Sequence, residues 1–287
     1  ARFTTPCVCN PSMKSRLTDY SVWPWLFAVL LQAAVATAPV HASGFEAMVS
    51  PPRFELQADP GETLRQIVTI QNAGDRPASF AVRTADWDLS ADGGLTIHPP
   101  ELQPGSCRPW ARIERRSLRL PAQGLKRFRF EIQVPDGAPA GECRLALLVE
   151  PGEDAQLMAR ARNIRFPVEG RIAVIIYVGI GEAAPQLDVR ELRLDEVNGR
   201  LTPVAVLHNS GTAHGRPEGF LQGSDASGRR LDFTVAATPV LPGQTRAIPI
   251  TQAPPAGTER VDQQPPLPLR GLIEWQGGEQ RVEATLE

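Results

Sequence analysis

One local event occurs twice in this chain. At Ile67-Val68-Thr69-Ile70-Gln71-Asn72-Ala73-Gly74-Asp75 an alternating apolar and polar run ends in an Asn-x-Gly turn, and at Val204-Ala205-Val206-Leu207-His208-Asn209-Ser210-Gly211-Thr212 it recurs. Asn72 and Asn209 stand 137 positions apart. Each turn is followed by a further strand pattern (80–87; 220–223), an Asp/Ser/Gly turn (90–94; 224–228) and a Leu-Pro turn (Leu120-Pro121; Leu241-Pro242). The shared order predicts two similar units in tandem. The 287 residues include 28 prolines and 24 glycines, about 18 % against the usual 12 %. That punctuation leaves little room for long helices, and its lack of period excludes a collagen repeat. A hydrophobic fraction of 42 % is enough for a core.

Strand patterns of period two recur about every ten residues without a helix-length segment, the pattern of a β-sandwich. The fold class read from this is all-β, with two immunoglobulin-like sandwich domains. Strands are expected near 45–57, 63–72, 79–88, 109–119, 125–134, 142–150 and 163–178, then near 187–194, 200–208, 216–223, 229–236, 244–251, 267–275 and 279–286. Asn198-Gly199 and Gln276-Gly277-Gly278-Glu279 predict hairpin turns, because Asn and Gly tolerate positive φ. Gly152–Arg162 reads as either a short helix or a loop. The domains are expected to span 43–181 and 182–287, dividing where Gly, Ala and Pro replace a long apolar run.

Residues 13–42 read as an export signal, with Met13, Lys14 and Arg16 ahead of the apolar stretch Trp23–Ala38 and a small-x-small site at Val40-His41-Ala42. Residues 1–12 read as an upstream extension, and the mature chain is expected to begin at Ser43. An uncleaved anchor is the competing reading, since Val22–Val40 could nearly cross a bilayer. The chain's formal net charge of -2 offers no general electrostatic reason for nucleic-acid binding. After processing two cysteines remain, Cys107 and Cys143; in an exported chain they suggest one disulfide, with two buried thiols as the alternative.

From Ile164 to Val178 every even position is apolar or glycine: Ile164, Phe166, Val168, Gly170, Ile172, Val174, Ile176 and Val178. This row either fills its own core or partly pairs with another chain, since a long apolar edge strand is a template for β-augmentation.

The mature chain resembles the periplasmic pilus-assembly chaperones, the PapD-like family. The resemblance rests on Val49-Ser50-Pro51-Pro52-Arg53-Phe54-Glu55-Leu56, Ile70-Gln71-Asn72-Ala73-Gly74, Leu120-Pro121-Ala122-Gln123-Gly124, Val134-Pro135 with Ala140-Gly141, and Arg171-Ile172-Ala173-Val174-Ile175-Ile176-Tyr177. It implies a chaperone that lends its last first-domain strand to a secreted pilus or fimbrial-type subunit, with an outer-membrane usher as a further partner. The client-facing residues would be Ile164, Phe166, Val168, Ile172, Val174 and Ile176. By position Arg53 matches one of the family's two anchors for the client's terminal carboxylate. The second is a lysine in the family and Ala173 here, so Arg171 is the substitute candidate. Solvated strand charge is the plainer account of both arginines. An exported structural or adhesive scaffold is the alternative function, and glycan binding a remoter one.

No catalytic constellation emerges. The mature histidines His98, His208 and His214 match neither a zinc helix nor a nucleophile elbow and read as turn residues. Asp86 and Asp88 flank Trp87 and read as solvated strand-end charge. Trp87, Trp110 and Trp275 read as core side chains. The chain is therefore expected to be non-enzymatic, without cofactor, metal, nucleic-acid or small-molecule partner.

Overall fold

The computed structural model describes residues 45–90, 93–103, 106–153, 170–254, 257 and 264–287, which fold within one compact unit, Gly44–Glu287. The expected upstream extension and export signal, and with them Ile164, Phe166 and Val168 and most of the 152–162 segment, lie outside these residues. The described chain is nearly all strand. Among the described residues no helix is long and apolar enough to cross a membrane.

The strands in chain order are β1 (Ala47–Ser50), β2 (Arg53–Ala58), β3 (Thr63–Asn72), β4 (Ala78–Ala85), β5 (Trp87–Leu89), β6 (Leu95–Ile97), β7 (Ala111–Ile113), β8 (Ser117–Leu120), β9 (Leu125–Gln133), β10 (Gly141–Pro151) and β11 (Ile172–Ile180). They continue with β12 (Leu187–Val197), β13 (Arg200–Asn209), β14 (Glu218–Ser224), β15 (Arg230–Val235), β16 (Thr245–Gln252), β17 (Leu267–Trp275) and β18 (Gly278–Leu286). Most fall where the period-two patterns place them. The exceptions have local causes. The single strand expected over 45–57 is two strands, because Pro51 and Pro52 carry no N–H to continue a ladder; β1 pairs with β3, whereas β2 pairs with β11 in the other sheet. The 109–119 run divides likewise after Ile113, with β7 against β9 and β8 against β4.

The first eleven strands form a sandwich. One sheet has the order β1-β3-β9-β7 and the other β2-β11-β10-β4-β8, with the small β5-β6 ribbon beside them. Alternation explains the core between the sheets: Val68 and Ile70 on β3 and Phe128, Phe130 and Ile132 on β9 meet Leu145, Leu147 and Val149 on β10 and Val174, Ile176 and Val178 on β11. A disulfide joins Cys107, just before a 3-10 turn at Arg108–Trp110, to Cys143 on β10, with their Cα atoms 5.8 Å apart.

The last seven strands form one continuous sheet in the order β12-β13-β16-β15-β14-β17-β18. It curls around a core drawn from every strand, including Leu187, Leu207, Leu221, Phe233, Ile248, Leu269 and Val282. Its two edges are tied by a side chain. The Gln280 amide on β18 accepts the Val189 N–H at 2.8 Å and donates to the Val189 carbonyl at 3.1 Å, replacing a peptide unit beside the β12 bulge. The Asn198-Gly199 hairpin forms as expected, with φ of 53° and 73°.

The repeated Asn-x-Gly turns are one device built twice. The buried Asn72 amide donates to the carbonyls of Arg76 and Pro121, at 2.6 and 2.9 Å, and its oxygen accepts the Gly74 N–H. Asn209 donates to Ala213 and Val240, both at 2.8 Å, and accepts from Gly211 N–H. In each unit the asparagine thus locks its own turn to the distant Leu-Pro turn.

Trp110 and Trp275 pack against the two cores, and Trp87 donates its indole N–H to the Leu145 carbonyl at 2.9 Å. Asp86 departs from its expected solvation. It is buried, and accepts from Ser106 Oγ, the Gln103 N–H and Arg108 Nη1. Burial of this carboxylate is offset by three donors, one of them charged.

Candidate functional site

The β2-β11-β10-β4 layer has two faces. Even residues of β11 point into the sandwich core. Odd residues share the opposite face with Arg53, Glu55 and Gln57 of β2, which stand in register with Ile175, Tyr177 and Gly179. Across β10 the same rows continue through Leu148, Ala146, Arg144 and Glu142, opposite Ala173, Ile175, Tyr177 and Gly179. The middle of this face is apolar. Ala85, Trp87, Ala146, Leu148 and Tyr177 cluster there and are capped by Leu241 from the β15–β16 connection.

One end is polar, with Glu142 buried and Glu55 open to solvent. His214, in the β13–β14 connection, donates its backbone N–H to Glu142 Oε2 at 2.9 Å and turns ring Nδ1 to the same oxygen. Its Nε2 lies 3.5 Å from Glu55 Oε1. The His214 ring stacks on Tyr177 with centroids 3.8 Å apart. Arg216 completes the cluster: its Nε lies 3.0 Å from Glu55 Oε1 and its Nη2 3.4 Å from the Tyr177 hydroxyl. Burial is the main force on Tyr177 and pushes its hydroxyl up to about 12. Burial pushes the Glu55 carboxyl up too. The Arg216 hydrogen bond and the charges of His214, Arg216 and Arg53 outweigh it and hold that group below its ordinary value.

The other end carries Arg83, Glu150 and Arg171. Arg83 grips Glu150 through two bonds of 2.8 and 2.9 Å, and Arg171 Nε lies 3.9 Å from the same carboxylate.

Arg53 and Arg171 therefore lie on one face but on different carboxylates. Arg53 Nε is 2.8 Å from Glu55 Oε1, the oxygen that Arg216 also holds. The position matching the family lysine, Ala173, offers a methyl group between these ends. Of the expected client-facing row, Ile172 is half-buried and Val174 and Ile176 are fully buried in the sandwich core. The edge of β11 is shared: β10 pairs with it from Ile172 onward, while β2 covers only Ile175–Ile180, beginning with the Ile175 N–H donated to Pro52 O. Ile172–Val174 thus has a single neighbouring strand among the described residues.

His214 was expected as a turn residue, and Glu142, Glu150, Arg83 and Arg216 carried no local motif. Glu142 and Glu150 on β10 and Arg83 on β4 share a face by alternation, whereas Arg216 lies in the β13–β14 connection. Among the described residues no group of three or more His, Cys, Asp or Glu side chains is placed to hold a metal.

No protein-family model and no curated protein matches the chain. Among solved structures it is similar to the Pseudomonas aeruginosa CupB2 chaperone, at 13 % identity and TM-score 0.44, over 84 % of this chain and 100 % of that one. It is similar also to the class 5 fimbriae chaperone CfaA, at 13 % identity and TM-score 0.44, over 80 % and 98 %. A third similar structure is the CsuC–CsuE chaperone-tip adhesion subunit pre-assembly complex of Acinetobacter baumannii, at 14 % identity and TM-score 0.43, over 84 % and 99 %.

Proposed function

We propose that this chain is an exported periplasmic chaperone that holds a fimbrial-type surface subunit by lending it the strand that ends in β11, and that it works without catalysis or a cofactor. Residues 43–181 supply the strand and 182–287 frame the cleft beside it. The observation that carries this reading is the half-open edge of β11. With one neighbouring strand among the described residues, Ile172–Val174 presents backbone groups that an incomplete β-subunit lacks. Because Val174 and Ile176 already fill their own core, the client takes the backbone of Ile172–Val174 and the side chains of Ile164, Phe166 and Val168 upstream. Arg53 and Arg171 receive the client's terminal carboxylate by displacing Glu55 and Glu150, since a guanidinium offers a planar fork of donors to a carboxylate. An outer-membrane usher is the expected downstream partner.

Co-expression with a fimbrial-type subunit lacking its final strand tests this. A one-to-one complex that protects the subunit from protease is expected, and the Arg53→Ala/Arg171→Ala variant should lose it while keeping its melting temperature. Undiminished capture by the folded double variant would remove the anchoring role. The competing reading, an envelope scaffold or adhesive module, draws on the burial of Val174 and Ile176 and the closed Arg53–Glu55 pair; it predicts no such complex with any subunit.

A further inference from the structure

The chain's small net charge hides a steep local imbalance. Between Arg108 and Arg129 the sequence holds eight basic residues and one acidic residue, in a chain whose total is 30 against 32. Three of the eight are neutralised nearby: Arg108 by buried Asp86, and Arg115 and Lys126 by Glu114, at 2.7 and 3.2 Å. Arg112, Arg116, Arg119, Arg127 and Arg129 are exposed and make no ion pair among the described residues. The cross-strand neighbour of Arg112, Glu131, is engaged by Arg65 at 2.9 Å.

Arg127 and Arg129 lie on β9, Arg112 lies on β7 and Arg116 follows it in the connection to β8, beside an unfinished sheet edge. Strand β9 pairs with β3 along its whole length, Leu125–Gln133, but among the described residues β7 covers only Phe130–Ile132 on the other side. Glu114 then closes Arg129, donating its N–H to the Arg129 carbonyl at 3.0 Å and accepting the Arg129 N–H at 3.1 Å. Backbone groups of alternate residues point the same way, so Arg127 and Leu125 direct theirs to the uncovered side, as Arg129 does. Leu125 is 63 % exposed. Next to it, Arg127 and Arg129 project from the outer face while Phe128 and Phe130 are buried.

We propose that the Leu125–Phe128 edge of β9 receives an extended acidic segment of a partner protein. The backbone of that segment would add a strand beside β9, and its carboxylates would meet Arg127, Arg129, Arg112 and Arg116. The edge supplies register and the arginines supply the choice of sign. This surface belongs to the sheet opposite β11, so its occupancy does not depend on the client reading.

The test uses the full chain and a fluorescein-labelled peptide of alternating Glu and Val, followed by anisotropy. Binding that weakens at least tenfold in Arg127→Glu/Arg129→Glu, weakens with added salt, and is lost for the same peptide with a central proline is the expected result. Arg112→Glu/Arg116→Glu provides a second variant should the first fail to fold. Equal binding by wild type and either folded variant would overturn the proposal. So would equal binding of the proline peptide, or binding to phosphatidylglycerol vesicles with none to the peptide.

Discussion

His214 and Glu142, 72 positions apart, bind through one oxygen. Glu142 Oε2 receives both the backbone N–H and the ring Nδ1 of His214, and the Glu142 side chain is only 2 % exposed. Two contacts on one buried carboxylate, from a loop that also stacks on Tyr177, tie the β1–β11 sandwich to the β12–β18 sheet. Replacing Glu142 by Ala leaves a buried N–H without an acceptor, which costs about 1–3 kcal/mol. Thermal unfolding of Glu142→Ala, His214→Ala and the double variant should show strong coupling, with the double variant losing much less than the two single losses together. Additive losses would mean that the contact carries no weight.

Tyr177 should register the same junction at alkaline pH. Its folded value, about 12, lies above the ordinary 10.0, so it contributes stability that is complete below pH 10 and is lost as pH rises toward 12. The difference is worth about 2–3 kcal/mol. The chain contains two tyrosines, Tyr20 and Tyr177, so tyrosinate absorbance in a Tyr20→Phe variant reports Tyr177 alone. A midpoint well above 10, falling in Arg216-intact chains once Trp87 is replaced by Ala and the ring is opened to water, is the expected outcome.

Glu55 gives the opposite sign. Its folded value is lowered, so its contribution is present above the ordinary carboxylate value of 4.5 and disappears as pH falls through the lowered one. Wild type should lose stability on acidification more steeply than Glu55→Gln, as measured by urea midpoints between pH 7 and 3. Identical slopes would deny Glu55 that role.

The asparagine turns predict matched damage. Asn72→Ala removes a donor from the Arg76 and Pro121 carbonyls and the acceptor of the Gly74 N–H, and Asn209→Ala removes a donor from Ala213 and Val240 and the acceptor of the Gly211 and Gln186 N–H groups; each should cost about 1–3 kcal/mol. Asn→Asp should be no rescue, because a carboxylate cannot donate to Arg76 and Pro121 or to Ala213 and Val240. Urea unfolding of the four variants checks this, and a harmless Asn→Asp would show that donation is not the reason for the residue.

What could be read in advance follows the range of the physics. Alternation places β3, β9, β13 and β17 to within a residue because each strand's burial is a local period. The Asn-x-Gly repeat announced two similar turns, but not that each asparagine reaches Pro121 or Val240, 49 and 31 positions away. His214 is the sharper case. Its neighbours in sequence describe a turn, whereas its partners Glu142 and Glu55 come from strands that only the assembled sheet brings together. The strand that carries Arg53 could be read from its pattern, but not the ion pair of Arg53 with Glu55, whose oxygen Arg216 reaches across the fold to share.

The Cys107–Cys143 bond should be the largest single covalent contribution. It closes a separation of 36 residues, which on the loop-entropy account stabilises the folded chain by about 3–4 kcal/mol. The bond fastens the 3-10 turn before β7 to β10, and Glu142, which holds His214, is the neighbour of Cys143. Reduction should therefore loosen the His214 contact as well as lower global stability. Cys107→Ser/Cys143→Ser should unfold at lower urea and speed amide exchange more at His214, which bonds to Glu142, than at Asn209, whose own N–H bonds to the Gln244 carbonyl. Equal protection at both positions would confine the disulfide's effect to the sandwich that contains it.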